Sequence, residues 1–313
     1  MKRSAKEYIQ ILLKACAMGA ADVVPGVSGG TIAFISGIYE ELIGSIKSID
    51  LEAIKLLLGL RFKDFWLKVN GNFLLAVVAG VALSILSLAK VMTYCLEHHP
   101  ILIWSYFFGL IIASAIIIFR EIKHFNLLSA LSITVGAAVA YSITVLSPAQ
   151  TPDYWWFILL SGSIAICAMI MPGISGSFIL LLMGKYQYIL GALSEVNIPV
   201  ILLFVGGAAV GIICFSHLLS WLLRSHHTAT VSLLTGFMIG SLNKVWPWKE
   251  TIQTTLNSHG EVIPLVERNV SPAQFEALSS TPSHLLLAVA MAVVGFLTIY
   301  IIERIGERKR KNQ

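Results

Sequence analysis

Two short stretches of this chain carry residues suited to holding an anion. Pro25-Gly26-Val27-Ser28-Gly29-Gly30-Thr31 and Pro172-Gly173-Ile174-Ser175-Gly176-Ser177 share the core Pro-Gly-x-Ser-Gly. Each runs on to a matched Gly and Tyr, Gly37 and Tyr39, then Gly184 and Tyr186. Pro and Gly interrupt helices. A serine that opens the next helical piece is a natural N-cap, and the first N–H groups of that piece have no intrahelical partner. Glycine beside them lets a ligand approach the backbone, and the positive end of the helix dipole favours an anion, phosphate most naturally. The spacing nominates Ser28, Gly29, Gly30, Thr31, Ser175, Gly176 and Ser177 as phosphate contacts. It nominates Pro25, Gly26, Pro172 and Gly173 as the breaks that expose them. Small residues also let membrane helices pack closely; duplication together with proline is what favours a ligand site.

Other polar residues fall near these breaks. Asp22 precedes the first, while Met169 occupies the matching place in the second. An ionisable group within an apolar span is a functional candidate. Asp22 would either take up a coupling proton or Na⁺, or accept backbone N–H bonds and order the tip. Lys90 and His217 occupy corresponding positions, and with Lys185 they are candidates for attracting an anionic head group. The plainer roles are a lysine reaching for the interface and a packed histidine. Tyr39 and Tyr186 are expected at the membrane interface, and Glu40 and Glu41 on a solvated face. Gly26-Val27-Ser28-Gly29 also resembles the Gly-x-Ser-Gly of intramembrane serine proteases, with His217 as base, but a nucleophile needs one base in reach and this motif is doubled. The four cysteines have no metal-ligand spacing, and no cofactor is expected beyond a coupling proton or Na⁺.

The elements that must position these residues are apolar. Of 313 residues, 57% are hydrophobic and 12% charged, far below the ~25% charge of a soluble domain. Apolar runs at 71–96, 101–119, 126–146, 198–223, 229–246 and 284–302 are long enough to cross a ~30 Å hydrocarbon core. The motif repeats at an offset of 147. A second stretch repeats at 127, pairing Asn70 with Asn197, Gly80 with Gly207 and Gly109 with Gly236. The expectation is an all-α polytopic membrane protein of two inverted-topology repeats, each a re-entrant helical hairpin plus three transmembrane helices. Residues 1–147 form the first repeat, with a hairpin at 6–46, an amphipathic insertion at 47–69 and helices over 71–146. Residues 148–303 form the second, with a hairpin at 155–195, three helices, and an outer loop at 247–283. Residues 304–313 are a basic tail.

Charge supports that topology. With both termini cytoplasmic, 17 Lys and Arg residues fall inside, while Lys244, Lys249 and Arg268 fall outside, as the positive-inside rule requires. Trp104, Trp155, Trp156, Trp246 and Trp248 would mark the outer interface, and Trp66 and Trp221 the inner one. Basic residues flank membrane segments instead of forming one patch, so nucleic acid is not an expected partner.

Asp22-x-x-Pro25-Gly26-x-Ser28-Gly29-Gly30-Thr31, Gly37-Ile38-Tyr39, Met171-Pro172-Gly173-x-Ser175-Gly176-Ser177 and Gly184-x-Tyr186 together resemble the signature of the bacterial polyprenyl-phosphate transporter family, long catalogued as a domain of unknown function. The resemblance covers nearly the whole chain. It implies a translocase in the bacterial inner membrane that returns undecaprenyl phosphate, a lipid carrier, from the outer to the inner leaflet for envelope synthesis. The partners so implied are a polyprenyl-phosphate lipid and the bilayer. An ion-coupled transporter or channel for a small soluble anion is the first rival, and an intramembrane serine hydrolase the second.

Overall fold

The computed structural model describes residues 3–22, 29–122, 125–146, 151–256 and 262–311. The first half opens with α1 (Ala5–Asp22), α2 (Gly29–Ile35) and α3 (Tyr39–Lys47). Two short helices follow, α4 (Leu51–Leu58) and α5 (Phe62–Lys68), then long helices α6 (Gly71–His98), α7 (Pro100–Arg120) and α8 (Leu127–Val145). The second half restarts the pattern with α9 (Trp155–Ile170), α10 (Gly176–Leu182) and α11 (Tyr186–Ser194), followed by α12 (Ile198–Ser225) and α13 (His227–Ser241). After β1 (Lys249–Leu256), β2 (Val262–Asn269) and α14 (Pro272–Ser279), α15 (Leu285–Lys311) closes the chain.

The sequence offsets recur in the bounds of three helix pairs. α10 and α11 begin and end 147 residues after α2 and α3, and α12 begins and ends 127 after α6. Local chemistry sets these bounds. Gly37 and Gly184 take positive φ at the matched turns, where a residue with a Cβ is strained. Asn126 accepts from the Ser129 N–H at 2.9 Å to cap α8, and Asn197 accepts from Val200 to cap α12.

Four long helix pairs build the core: α1 with α6, α9 with α12, α7 with α15, and α8 with α13. Glycines set their close approach. A Cβ on Gly80 would lie 2.5 Å from the Leu12 carbonyl, and one on Gly207 1.9 Å from the Leu159 carbonyl, the same contact in each half. Gly109 meets the Ala292 carbonyl as Gly236 meets that of Ile133, and Gly295 meets Tyr106 as Gly136 meets Leu233. These pairs reveal a third offset of 159 that relates α8 to α15. Gly207→Val is therefore expected to lower the melting temperature by several degrees or prevent folding, since overpacking against backbone costs ~1–3 kcal/mol. Gly206→Val next to it, where a Cβ meets nothing within 4 Å, should be tolerated. Thermal unfolding followed by size-exclusion chromatography compares the two.

The chain is a multi-pass, mostly helical membrane protein, with three differences from the sequence reading. First, among the described residues α7, α8 and α12 are each long and apolar enough to span, and up to five spans arise there if bent helix pairs are counted as one, against six apolar runs in the sequence. α13 stops at Ser241, and its 15 residues rise only ~22 Å. Second, the outer loop is not irregular. β1 and β2 pair antiparallel, over sequence rich in the β-branched residues Thr, Val and Ile, which favour strands. Trp246 and Trp248 donate to the Val270 and Ser283 carbonyls and so fasten this loop. Third, the insertion is two short helices, with Leu60 between them at φ 56°. Leu51, Leu58, Phe62 and Leu67 stay exposed on it, as a segment lying on a membrane surface would leave them.

Candidate functional site

The first motif joins α1 to α2. Val23 to Ser28, which include Pro25, Gly26 and Ser28, lie outside the described residues. On either side the chain is tied back on itself. Asp22 Oδ1 accepts the Gly29 N–H at 2.7 Å, and Lys14 Nζ donates to the Ser36 carbonyl beyond α2 at 2.5 Å. A Cβ on Gly29 would fall 2.4 Å from the Asp22 carboxylate, so glycine is what admits that carboxylate to the helix start. Asp22 thereby fills the anion position at this end of α2 with a group of the protein's own.

The second motif joins α9 to α10. Gly173 turns the chain at φ +87°, and Gly176 then lies against the Ala165 carbonyl, so α10 folds back along α9. Ser175 occupies the N-cap position but makes no capping bond; its hydroxyl pairs with that of Ser177 at 2.9 Å. With Met169 in the place of Asp22, no carboxylate among the described residues occupies the matching position here.

The two tips touch. Gly173 donates its N–H to Thr31 Oγ1 at 3.0 Å, and the Tyr39 hydroxyl donates to the Ile170 carbonyl at 3.1 Å. A Cβ on Gly30 would sit 2.3 Å from that same carbonyl. Thr31, Tyr39 and Ser175 are all buried. The described residues of the two motifs, 142 positions apart at Thr31 and Gly173, thus meet at one place in the fold.

Other sequence-nominated residues fall elsewhere. Tyr39 is not at an interface: it is 2% exposed and braces the end of α9. Lys185 was nominated to draw in a head group, but it is 1% exposed. Its ammonium is engaged by Asp153 and by the Thr151 carbonyl, over the rings of Phe157 and Tyr188. That position locks the second hairpin to the segment before α9. His217 bonds the Ile213 carbonyl of its own helix at 2.9 Å. Lys90 lies on α6, and its side chain is outside the described residues. Glu41 does not face solvent alone; it joins Arg3 and Asn70 in one network. Lys14, a charge inside the apolar stretch of α1, braces the segment around the first motif.

Beside the second tip, a groove of about 260 Å³ opens between α8, α9 and α10, lined by Ile143, Ile164, Met171, Ile174 and Ile179 among others. Its surface is apolar throughout, so it suits a hydrocarbon chain better than a hydrated ion.

A family model described as undecaprenyl phosphate translocase-like matches residues 18–263. A polyprenyl-phosphate transporter of Vibrio cholerae is 46% identical over 301 residues, covering 96% of this chain and 98% of that protein. A polyprenyl-phosphate transporter of Staphylococcus aureus is 32% identical over 254 residues, covering 75% and 85%. No solved structure matches the chain. The matched proteins are named as transporters and not as hydrolases, which sets the serine-hydrolase alternative aside.

Proposed function

The chain belongs to the undecaprenyl phosphate translocase-like family, and from that premise we propose that it returns undecaprenyl phosphate from the outer to the inner leaflet of the bacterial inner membrane by alternating access. The observation that carries this reading is the buried contact between the two tips, Thr31 to Gly173 and Tyr39 to Ile170. Each half has an odd number of crossings in the topology that charge favours, so the halves are inverted and their hairpins re-enter from opposite sides. Two such tips meeting at mid-depth form one site that rocking of the repeats would expose to either face.

The second tip takes the head group. Its serine hydroxyls face each other without a carboxylate at the Met169 position, whereas Asp22 already occupies the equivalent place in the first. Ser175 and Ser177 contact the phosphate, with Gly176 packing α10 against α9; the first tip orders the site. The apolar groove alongside favours a lipid over a small soluble anion, because a chain can remain there while its head group moves through protein.

Fluorescent polyprenyl phosphate in liposomes reconstituted with the protein tests this. Ser175→Ala and Ser177→Ala should each slow transbilayer movement about fivefold, the loss expected for one hydrogen bond of ~1 kcal/mol. Folded wild type that moves no lipid, under proton or Na⁺ gradients of either sign, would sink the proposal.

A further inference from the structure

At the end of α10 remote from the tip, a pocket of about 340 Å³ is walled by α8, α10, the end of α13 and the β-hairpin. Its polar side gathers Lys244, Lys249 and Arg268, the three basic residues that sequence topology places outside the membrane. They come from the turn after α13, the start of β1 and the end of β2, so only the folded hairpin brings them together.

Among the described residues, the cations outnumber their partners. Lys244 and Lys249 both lean on the single carboxylate of Glu267, each at 3.3 Å, and Arg268 pairs with Glu250 at 2.6 Å. Three positive groups thus share two carboxylates. Lys249 is deeply set, with its side chain 8% exposed and its ammonium 4.2 Å from the centre of the Trp104 ring. Lys244 lies over Phe178, at 4.6 Å. Burial pushes Lys249 down to about 8. Glu267, against its own burial, is held below the usual carboxylate range by Lys249 and Lys244. Such a pair of ammonium groups around one carboxylate is short of negative charge.

The opposite wall is apolar, formed by Tyr141, Val145 and Leu146 of α8 and its end and by Phe178, Leu181 and Leu182 of α10. Cavities from roughly 300 Å³ upward hold small ligands. One charged wall and one apolar wall select an amphiphilic anion, and a phosphate monoester carries a charge of about −1.5 to −2 at neutral pH. We propose that this pocket is a docking site for the phosphate monoester of a lipid, which receives the head group on the outer side before it reaches the tip. Ser175 and Leu182 mark the two ends of the step, separated by seven residues of helix or ~10 Å. The lipid source of the phosphate rests on the transport reading above; binding of the head group does not.

The test is binding to the full-length protein in detergent, with farnesyl phosphate, farnesol and inorganic phosphate as probes, read by quenching of tryptophan fluorescence and by calorimetry. Farnesyl phosphate should bind with farnesol at least tenfold weaker. Lys249→Gln and Lys244→Gln should each weaken farnesyl phosphate about tenfold. Glu267→Gln, which removes the internal competitor, should tighten it severalfold, a gain that misfolding cannot produce. Affinity unchanged in all three variants overturns the proposal, as does tightening by the lysine changes. Inorganic phosphate binding as tightly as farnesyl phosphate overturns the lipid as the source. The Ser175→Ala protein separates the two readings: it should move lipid more slowly while its farnesyl phosphate binding keeps the same dependence on Lys244 and Lys249. Lipid movement by wild type with no farnesyl phosphate response at the lysines would end this proposal and leave the transport reading standing.

Discussion

Gly30→Ala is expected to abolish most transport, by about thirtyfold or more, in a protein that still folds. Intrinsic propensity argues the other way, since alanine is favoured over glycine in a helix by ~1 kcal/mol. Space decides the sign. The added carbon would sit 2.3 Å from the Ile170 carbonyl oxygen, which is backbone at the end of α9 and cannot rotate aside. Either α2 or α9 must shift by most of an ångström, and overpacking of this kind costs ~1–3 kcal/mol, where each 1.4 kcal/mol is tenfold. The shift falls where the tips meet, so it opens the Thr31–Gly173 and Tyr39–Ile170 bonds together. Gly44→Ala is the matched control, because a Cβ there meets nothing within 4 Å. Liposome assays of both, alongside thermal unfolding, separate a local effect from loss of the fold. Equal transport by the two variants would show that the tips need not touch.

Much of this arrangement is legible in the sequence, and the parts that are not have physical causes. Offsets of 147 and 127 are readable because Pro, Gly and Asn sit where the backbone needs a break, a positive φ or a cap, and each such demand is local. The offset of 159 is not readable. α8 and α15 share Gly136 and Gly295 as contact points, but the rest of each helix faces partners or lipid that accept many apolar residues. The insertion between α13 and α15 hides the remaining register. The β-hairpin is obscured by its lysines, glutamates and Pro264, which read as loop. Their role becomes plain only once Lys249 pairs across to the Glu267 strand and meets Trp104, which is 145 positions away in sequence. Lys185 shows the same limit. Its charge looks available in a linear reading because Asp153 lies 32 residues earlier, on the far side of the hairpin.

Asp22 is where the two tips differ most, and its substitutions should tell its two readings apart. Oδ1 accepts the Gly29 N–H at 2.7 Å and the carboxylate lies against the Gly29 backbone. This is the geometry of a cap, which needs an acceptor oxygen and not a charge. Asp22→Asn keeps an oxygen in that position, so transport should stay within about threefold of wild type. Asp22→Ala removes the acceptor and leaves the Gly29 N–H without its partner in an apolar setting. Loss of a cap costs ~0.5–2 kcal/mol and an orphaned buried donor ~1–3 kcal/mol, so a fall of about thirtyfold to a hundredfold is expected. Measuring both variants under imposed proton and Na⁺ gradients completes the comparison. If Asp22 orders the tip, the asparagine protein keeps whatever response to a gradient the wild type shows, because the coupling ion binds elsewhere. If Asp22 instead carries the ion, asparagine should fail as badly as alanine and lose the gradient response with it. The capping geometry predicts the first outcome. It also explains why the second tip has methionine at this place: a carboxylate there would stand where the head group of an anionic lipid has to enter, and two like charges at that range in a low-dielectric site repel strongly.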